Sequence, residues 1–157
     1  MNEDIYLRPL TVEDSAISWR WRNDPSIWRY TGSRPDREVT EEMEREWAAK
    51  VIADSSRMNF AICCKVDNQY IGNVYIVNIH EEVGELGIFI GELSARGRGY
   101  GLQALRLLKQ EAKSRGIDKI VIDVAKDNIA AIIVYLKSGA RFIKGSDGAR
   151  MQMLIRV

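Results

Sequence analysis

The stretch 94-SARGRGYGLQALRLL-108 places three glycines and two arginines within the six residues Arg96 to Gly101, then becomes a leucine-rich run. The run reads as a helix from about Tyr100 to Arg115, stopped by Gly116. A glycine loop opening a helix is built for an anion. Without Cβ atoms the backbone can approach closely and adopt positive φ, and the helix start adds unpaired N–H donors and a positive dipole end. Three phosphate-binding designs use such a loop, and the residues separate them. A Walker-type loop needs lysine and a hydroxyl residue after its second glycine, and no lysine occurs between Lys65 and Lys109. A dinucleotide fingerprint, Gly99-x-Gly101-x-x-Ala104 with Asp123 about 20 residues on, matches locally. Such units open their domains, whereas here some 90 residues precede the loop and too few follow to complete a second half. The third design is Arg96-x-x-Gly99-x-Gly101.

Working outward, the chain alternates strands and helices without repeats. "IYLR", Ile5 to Arg8, is a first strand ended by Pro9, and Thr11 caps a helix running to about Asn23, stopped by Asp24-Pro25. After an arginine-rich loop, "TEEMEREWAAKVIAD" puts Met43, Trp47, Val51 and Ile52 on one helical stripe. "MNFAICCKV" and "QYIGNVYIVNI", joined by the turn Asp67-Asn68, and then "GELGIFI" form an antiparallel meander. The glycine loop, its helix and the strand "KIVIDVA" follow, then a helix from about Asn128 to Ser138 and the strands "ARFIKG" and "RMQMLIRV". Strand, helix, strand near the centre implies a parallel crossover inside a mixed sheet.

With Arg96-x-x-Gly99-x-Gly101 between these elements, the chain resembles the GNAT superfamily of acetyl-CoA-dependent N-acetyltransferases, in the branch of ribosomal-protein alanine, spermidine and nucleotide-sugar-amine enzymes. The resemblance is strongest from Gly84 to Phe142. It implies a single domain over 1–157 with a mixed α/β fold. The expected sheet is mostly antiparallel, of six or seven strands, with a splayed parallel pair at its centre and about four flanking helices. It also implies acetyl-CoA as co-substrate, no metal, and Arg96, Gly97, Arg98, Gly99, Tyr100 and Gly101 wrapping the CoA pyrophosphate.

Two further segments carry the resemblance. In "KDNIAAIIVYLKSGARF" an asparagine is followed seven residues on by a tyrosine. Seven residues are two helical turns, about 10 Å, so Asn128 and Tyr135 share a face. By the resemblance Asn128 bonds the pantetheine amides and Tyr135 reaches the sulfur. A phenol with a pKa of about 10 keeps its proton at neutral pH and can give it to a departing thiolate. In "GELGIFIGE" parity sets Glu85, Gly87 and Phe89 on one face and Leu86, Ile88 and Ile90 on the other. The resemblance implies that this strand bends away from its neighbour, freeing backbone N–H groups near Phe89, Ile90 and Gly91. Glu85, partly buried, is the expected base for the acceptor amine, ahead of Glu82, Glu92 and His80.

Acceptor choice belongs to the N-terminal half. Trp19 to Arg37 holds five arginines and three of the four tryptophans, and "EVTEEMERE" after it holds five glutamates. A basic loop with Trp28, Arg29 and Tyr30 suits the phosphates and rings of a nucleotide-linked amino sugar, while the glutamates suit a polyamine or a basic peptide end. The fragment "WRND" resembles acetyltransferases of nucleotide-sugar amines. A non-catalytic acyl-CoA-binding module is the competing reading, and it has no use for Tyr135.

Composition sets the outer limits. Lysine plus arginine number 23 against 22 acids, so a net charge of +1 offers no whole-molecule attraction for nucleic acid or an anionic membrane. No apolar run reaches the length of a membrane helix, and the N-terminus lacks an export pattern, so a cytoplasmic protein is expected. Cys63 and Cys64 are adjacent in an apolar run, lack metal-ligand spacing and read as reduced core thiols. An edge at the C-terminal strand would permit a homodimer.

Overall fold

The structure is a computed structural model that describes residues 3–29, 35–145 and 148–157. Seven strands, β1 (Ile5–Pro9), β2 (Met58–Cys64), β3 (Tyr70–His80), β4 (Val83–Ile90), β5 (Lys119–Ala125), β6 (Arg141–Gly145) and β7 (Arg150–Arg156), form one sheet ordered β1-β2-β3-β4-β5-β7-β6. Every neighbouring pair is antiparallel except β4 and β5. The parallel pair is joined through α4 (Tyr100–Ser114), as the strand, helix, strand order requires. The other helices are α1 (Ser15–Arg22), α2 (Pro25–Trp28), α3 (Glu41–Ala53) and α5 (Ile129–Lys137).

Among the described residues this is one helix more than expected. The addition is α2, a single turn where the sequence suggested only loop. Asp24 ends α1 and starts the next turn, its Oδ1 accepting from the Ser26 N–H at 2.9 Å with Pro25 in the first helical position.

Side-chain alternation divides the core between the two faces of the sheet. On one face Leu105, Leu108 and Ala112 of α4 and Ile132 of α5 pack on Ile62, Ile76, Ile120, Ile122 and Met153. On the other, Trp21 of α1 and Val51 of α3 pack on Ala61, Cys63 and Tyr70. Cys63 and Cys64 are both buried free thiols on opposite faces of β2, and burial pushes both thiols up from their ordinary range.

The buried stripe of α3 differs from the expected one. Glu44, Ala48 and Val51 are buried, Met43 and Trp47 are half-buried, and Ile52 is exposed. Glu44 replaces an apolar residue because α1 brings Ser18 and Arg22 against its carboxylate.

The pairing of β4 with β5 is short. Val83, Gly84 and Glu85 pair with Lys119, Ile120 and Val121, and beyond them the two strands part. Among the described residues no helix is long and apolar enough to cross a membrane.

Candidate active site

The gap between the parted strands is a cleft of about 610 Å³. Its walls are Leu86 to Ile90 of β4 and Val124 and Ala125 of β5, with Asn128, Ala130 and Tyr135 from the α5 side and Ile27 and Arg96 opposite. Gly91 gives its N–H to the Ile71 carbonyl (2.7 Å), and the Asp118 N–H reaches the Glu82 carbonyl on the other side (2.8 Å). By strand alternation the odd residues of β4 therefore address β3, while Leu86, Ile88 and Ile90 address the side of β5. Past the last pair, the N–H groups of Ile88 and Ile90 face the cleft. This refines the expectation for Phe89 to Gly91. The Gly91 N–H is committed to β3, and the Phe89 ring packs edge-on against Trp21 at 6.0 Å.

The glycine loop lies beyond the end of β4. Gly97 and Gly99 have φ of 74° and 80°, a region open to glycine and strained for most other residues. A Cβ added at Gly97, Gly99 or Gly101 would meet no heavy atom within 4 Å. The room around the loop is open. Among the described residues, none of the N–H groups from Gly97 through Leu102 has an intramolecular acceptor. Unclaimed donors, positive φ and empty space at a helix start fit a diphosphate.

The two arginines of the loop make different contacts. Arg96 is a strap: Nε donates to the Ile90 carbonyl (3.0 Å), Nη1 to Ser26 Oγ (2.7 Å) and Nη2 to the Gly91 carbonyl (3.4 Å), with Asp24 at 3.8 Å. It ties the loop to the end of β4 and to α2. Arg98 is exposed and donates Nε to the Ser94 carbonyl (3.0 Å).

Asn128 and Tyr135 both line the cleft. Asn128 is also the cap of α5, its Oδ1 accepting from the Ala131 N–H at 3.3 Å, which leaves its NH₂ for a ligand. Burial, reinforced by neighbouring Tyr75 and opposed by Arg150, pushes the Tyr135 phenol up to about 12. Among the described residues that phenol makes no hydrogen bond, so its proton is uncommitted.

The carboxylate candidates are scattered. Glu85 is exposed rather than partly buried, accepts from Asn78 Nδ2 at 3.0 Å, and lies one residue outside the cleft wall. The cause is its position in the last paired step of β4, where the odd residues point away from α5. Glu82 is exposed in the β3–β4 turn, Glu92 accepts from Trp21 Nε1 at 3.3 Å, and His80 is exposed beside Glu81 at 3.6 Å. Of the expected acceptor residues, Trp28 lines a second pocket, Arg29 is exposed, and Tyr30 lies outside the described residues.

That second pocket, about 350 Å³, was not anticipated. It opens behind Tyr75 and Phe89, which it shares with the cleft, and collects Arg22, Trp28, Glu44, Trp47, Arg57 and Asn73. Tyr75 sits directly across from Gly87, where an added Cβ would come within 2.0 Å of its ring. An aromatic ring opposite a strand glycine is a readable cue, since the ring covers the backbone that the glycine exposes. Glu44, Arg22 and Arg57 left no comparable local signal.

A splayed parallel pair, a glycine loop at a helix start and a half-buried tyrosine on the next helix surround one cleft. The chain belongs to the acetyltransferase (GNAT) domain family, whose model matches residues 4–141. YobR of Bacillus subtilis (strain 168), an uncharacterised N-acetyltransferase, is 26% identical over 135 residues, covering 82% of this chain and 51% of that protein. Spermidine N-acetyltransferase from Vibrio cholerae, solved in complex with CoA and spermine, has a TM-score of 0.85 at 22% identity over 99% of this chain and 96% of that one. Mycobacterium smegmatis RimJ, in complex with CoA-disulfide, has a TM-score of 0.83 at 18% identity over 97% and 81%. At such identities the structural likeness speaks for the fold. The chain spans between 28% and 64% of the length of the curated relatives it matches.

Proposed function

We propose that this chain transfers an acetyl group from acetyl-CoA to a primary amine, of a small molecule such as a nucleotide-linked amino sugar or of a peptide N-terminus, by direct attack in a ternary complex. The observation that carries the reading is the parting of β4 from β5 beside a glycine loop with unclaimed N–H donors and room for an anion. Acetyl-CoA, when bound, supplies the activated acetyl group. Gly97 to Leu102 would hold its diphosphate through main-chain N–H groups, and Asn128 its pantetheine arm. The N–H groups of Ile88 and Ile90 would hold the acyl end and polarise its carbonyl.

Tyr135 holds a proton for the departing sulfur. As the amine nitrogen bonds to the carbonyl carbon and the carbon–sulfur bond breaks, the sulfur takes that proton and leaves as a thiol, and the proton that the nitrogen sheds on becoming an amide restores the phenol through water. The amine, mostly protonated at pH 7, must first lose its own proton. Glu85, exposed at the rim, serves that step only through water. Cys63 and Cys64 are buried in β2 and form no acyl-enzyme.

A non-catalytic acyl-CoA-binding module would use the same loop and Asn128. The half-buried Tyr135 phenol, which lines the cleft, favours catalysis over that reading. Thiol release from acetyl-CoA, measured across nucleotide amino sugars, N-terminal peptides, polyamines and aminoglycosides, tests it. Release is expected with at least one class. Silence across the panel, with CoA binding intact by calorimetry, would leave the binding module.

A further inference from the structure

We infer that the pocket behind Tyr75 and Phe89 receives an acceptor amine that carries its own anion, a phosphate or a carboxylate, seated on Arg57. Naming the ligand an acceptor rests on the acetyltransferase reading; the charge argument stands on the pocket alone. Two guanidinium groups and one carboxylate line the space. Arg22 lies over the Trp47 ring at 5.2 Å, with Nη1 3.5 Å from Glu44 Oε1. That pair balances in charge. Arg57 lies over the Tyr75 ring at 5.4 Å, is half-buried, and donates Nε to Asn59 Oδ1 at 3.1 Å. Among the described residues it has no ion-pair partner. Asp54, which acts on it electrostatically, is exposed and gives its Oδ1 to the Ser56 N–H and hydroxyl.

One positive charge is thus left over in a partly desolvated site, a costly arrangement until an anion fills it. The two outer nitrogens of the guanidinium form a fork suited to two oxygens of a carboxylate or phosphate. A second feature also points to a ligand. Glu44 is 1% exposed, and its Oε1, buried at the pocket and 3.5 Å from Arg22 Nη1, accepts no hydrogen bond. It is placed for an O–H or N–H of the same molecule. About 350 Å³ holds a sugar-sized group, and the shared Tyr75–Phe89 wall puts its amine beside the cleft. A polyamine would bring further positive charge against Arg57 and is disfavoured there.

The test uses matched probes on the whole chain, with CoA present for binding and acetyl-CoA for turnover: glucosamine 6-phosphate against glucosamine, γ-aminobutyrate against n-butylamine, and spermidine. Binding is read from the fluorescence of Trp28 and Trp47, which line the pocket, and turnover from thiol release. The anionic member of one pair should bind at least tenfold tighter than its parent amine, with spermidine weakest. The pair showing the larger ratio separates a phosphate from a carboxylate. Arg57→Gln should bring that ratio close to one, and Arg57→Lys should keep part of it, with circular dichroism checking that both variants fold. Equal binding within each pair, no binding at all, tightest binding of spermidine, or a ratio that survives in Arg57→Gln overturns the inference. Discrimination in binding without thiol release would refute acetyl transfer and leave the pocket assignment standing; thiol release without discrimination would do the reverse.

Discussion

The cleft and the pocket share the Tyr75–Phe89 wall, yet they offer a ligand different materials. The cleft offers main chain: the N–H groups of Ile88, Ile90 and the glycine loop, with arginine spent on tying the loop down. The pocket offers side chains from α1, α2, α3, β3, β4 and the segment before β2, with the buried carboxylate of Glu44 among them. Backbone recognition suits a ligand part that never changes, because any side chain in the loop only obstructs it. Side-chain recognition suits a part that varies among relatives, because one substitution alters the charge without disturbing the fold.

The sharpest departure within the cleft is Tyr135, the side chain to which the chemistry assigns a proton. Tyr135→Phe should lower kcat about 100-fold, or about 2.7 kcal/mol of barrier, with little change in the KM for acetyl-CoA. The raised phenol pKa sets the pH window. The folded protein favours the protonated form, so that contribution is complete below pH 10, the unfolded value, and is lost only as pH rises toward about 12. The rate should therefore show no alkaline fall below about pH 10. A Phe variant at full rate, or a fall centred near pH 8, would make the cleft a purely main-chain device and move the acid elsewhere.

Next in size is the loop. Gly99→Val forces a β-branched residue to a φ of 80° and fills the open space over the donors. We expect at least a tenfold loss of CoA affinity by calorimetry, with a lower Tm, since the left-handed region costs such a residue about 1–2 kcal/mol. Gly99→Arg separates main-chain from electrostatic recognition. If the backbone does the holding, the added positive charge does not rescue binding. Tighter binding by the arginine variant would erase the contrast between the two recesses.

The same contrast explains what could be read in advance. The glycine loop, the β4 parity and the Asn128–Tyr135 spacing are contiguous signals, each contained within one turn, strand or helix. The meander and the parallel crossover followed from the order of strand and helix signals, but the C-terminal strand, expected at an edge, is β7, which pairs with both β5 and β6 and leaves β6 at the edge. The pocket was illegible because Arg22, Glu44 and Arg57 come from separate elements and meet only when α1 and α3 pack over β2 and β3. Glu44 was hidden among five glutamates of one segment, of which the others are exposed at the surface. The strap made by Arg96 was illegible for a related reason: the two carbonyls that hold it belong to the end of β4.

Glu85 gives the smallest expected effect and bears on where the boundary between the recesses lies. Its side chain is exposed, holds Asn78 at 3.0 Å, and belongs to the wall of neither recess. A base working through bulk-like water at the rim competes with buffer, so Glu85→Gln should change kcat/KM by less than about threefold, with the deficit closed by raising buffer concentration. A loss of 30-fold or more, insensitive to buffer, would mean that β4 turns this carboxylate inward when the acceptor binds. The strand would then serve both recesses, main chain toward CoA and side chain toward the amine.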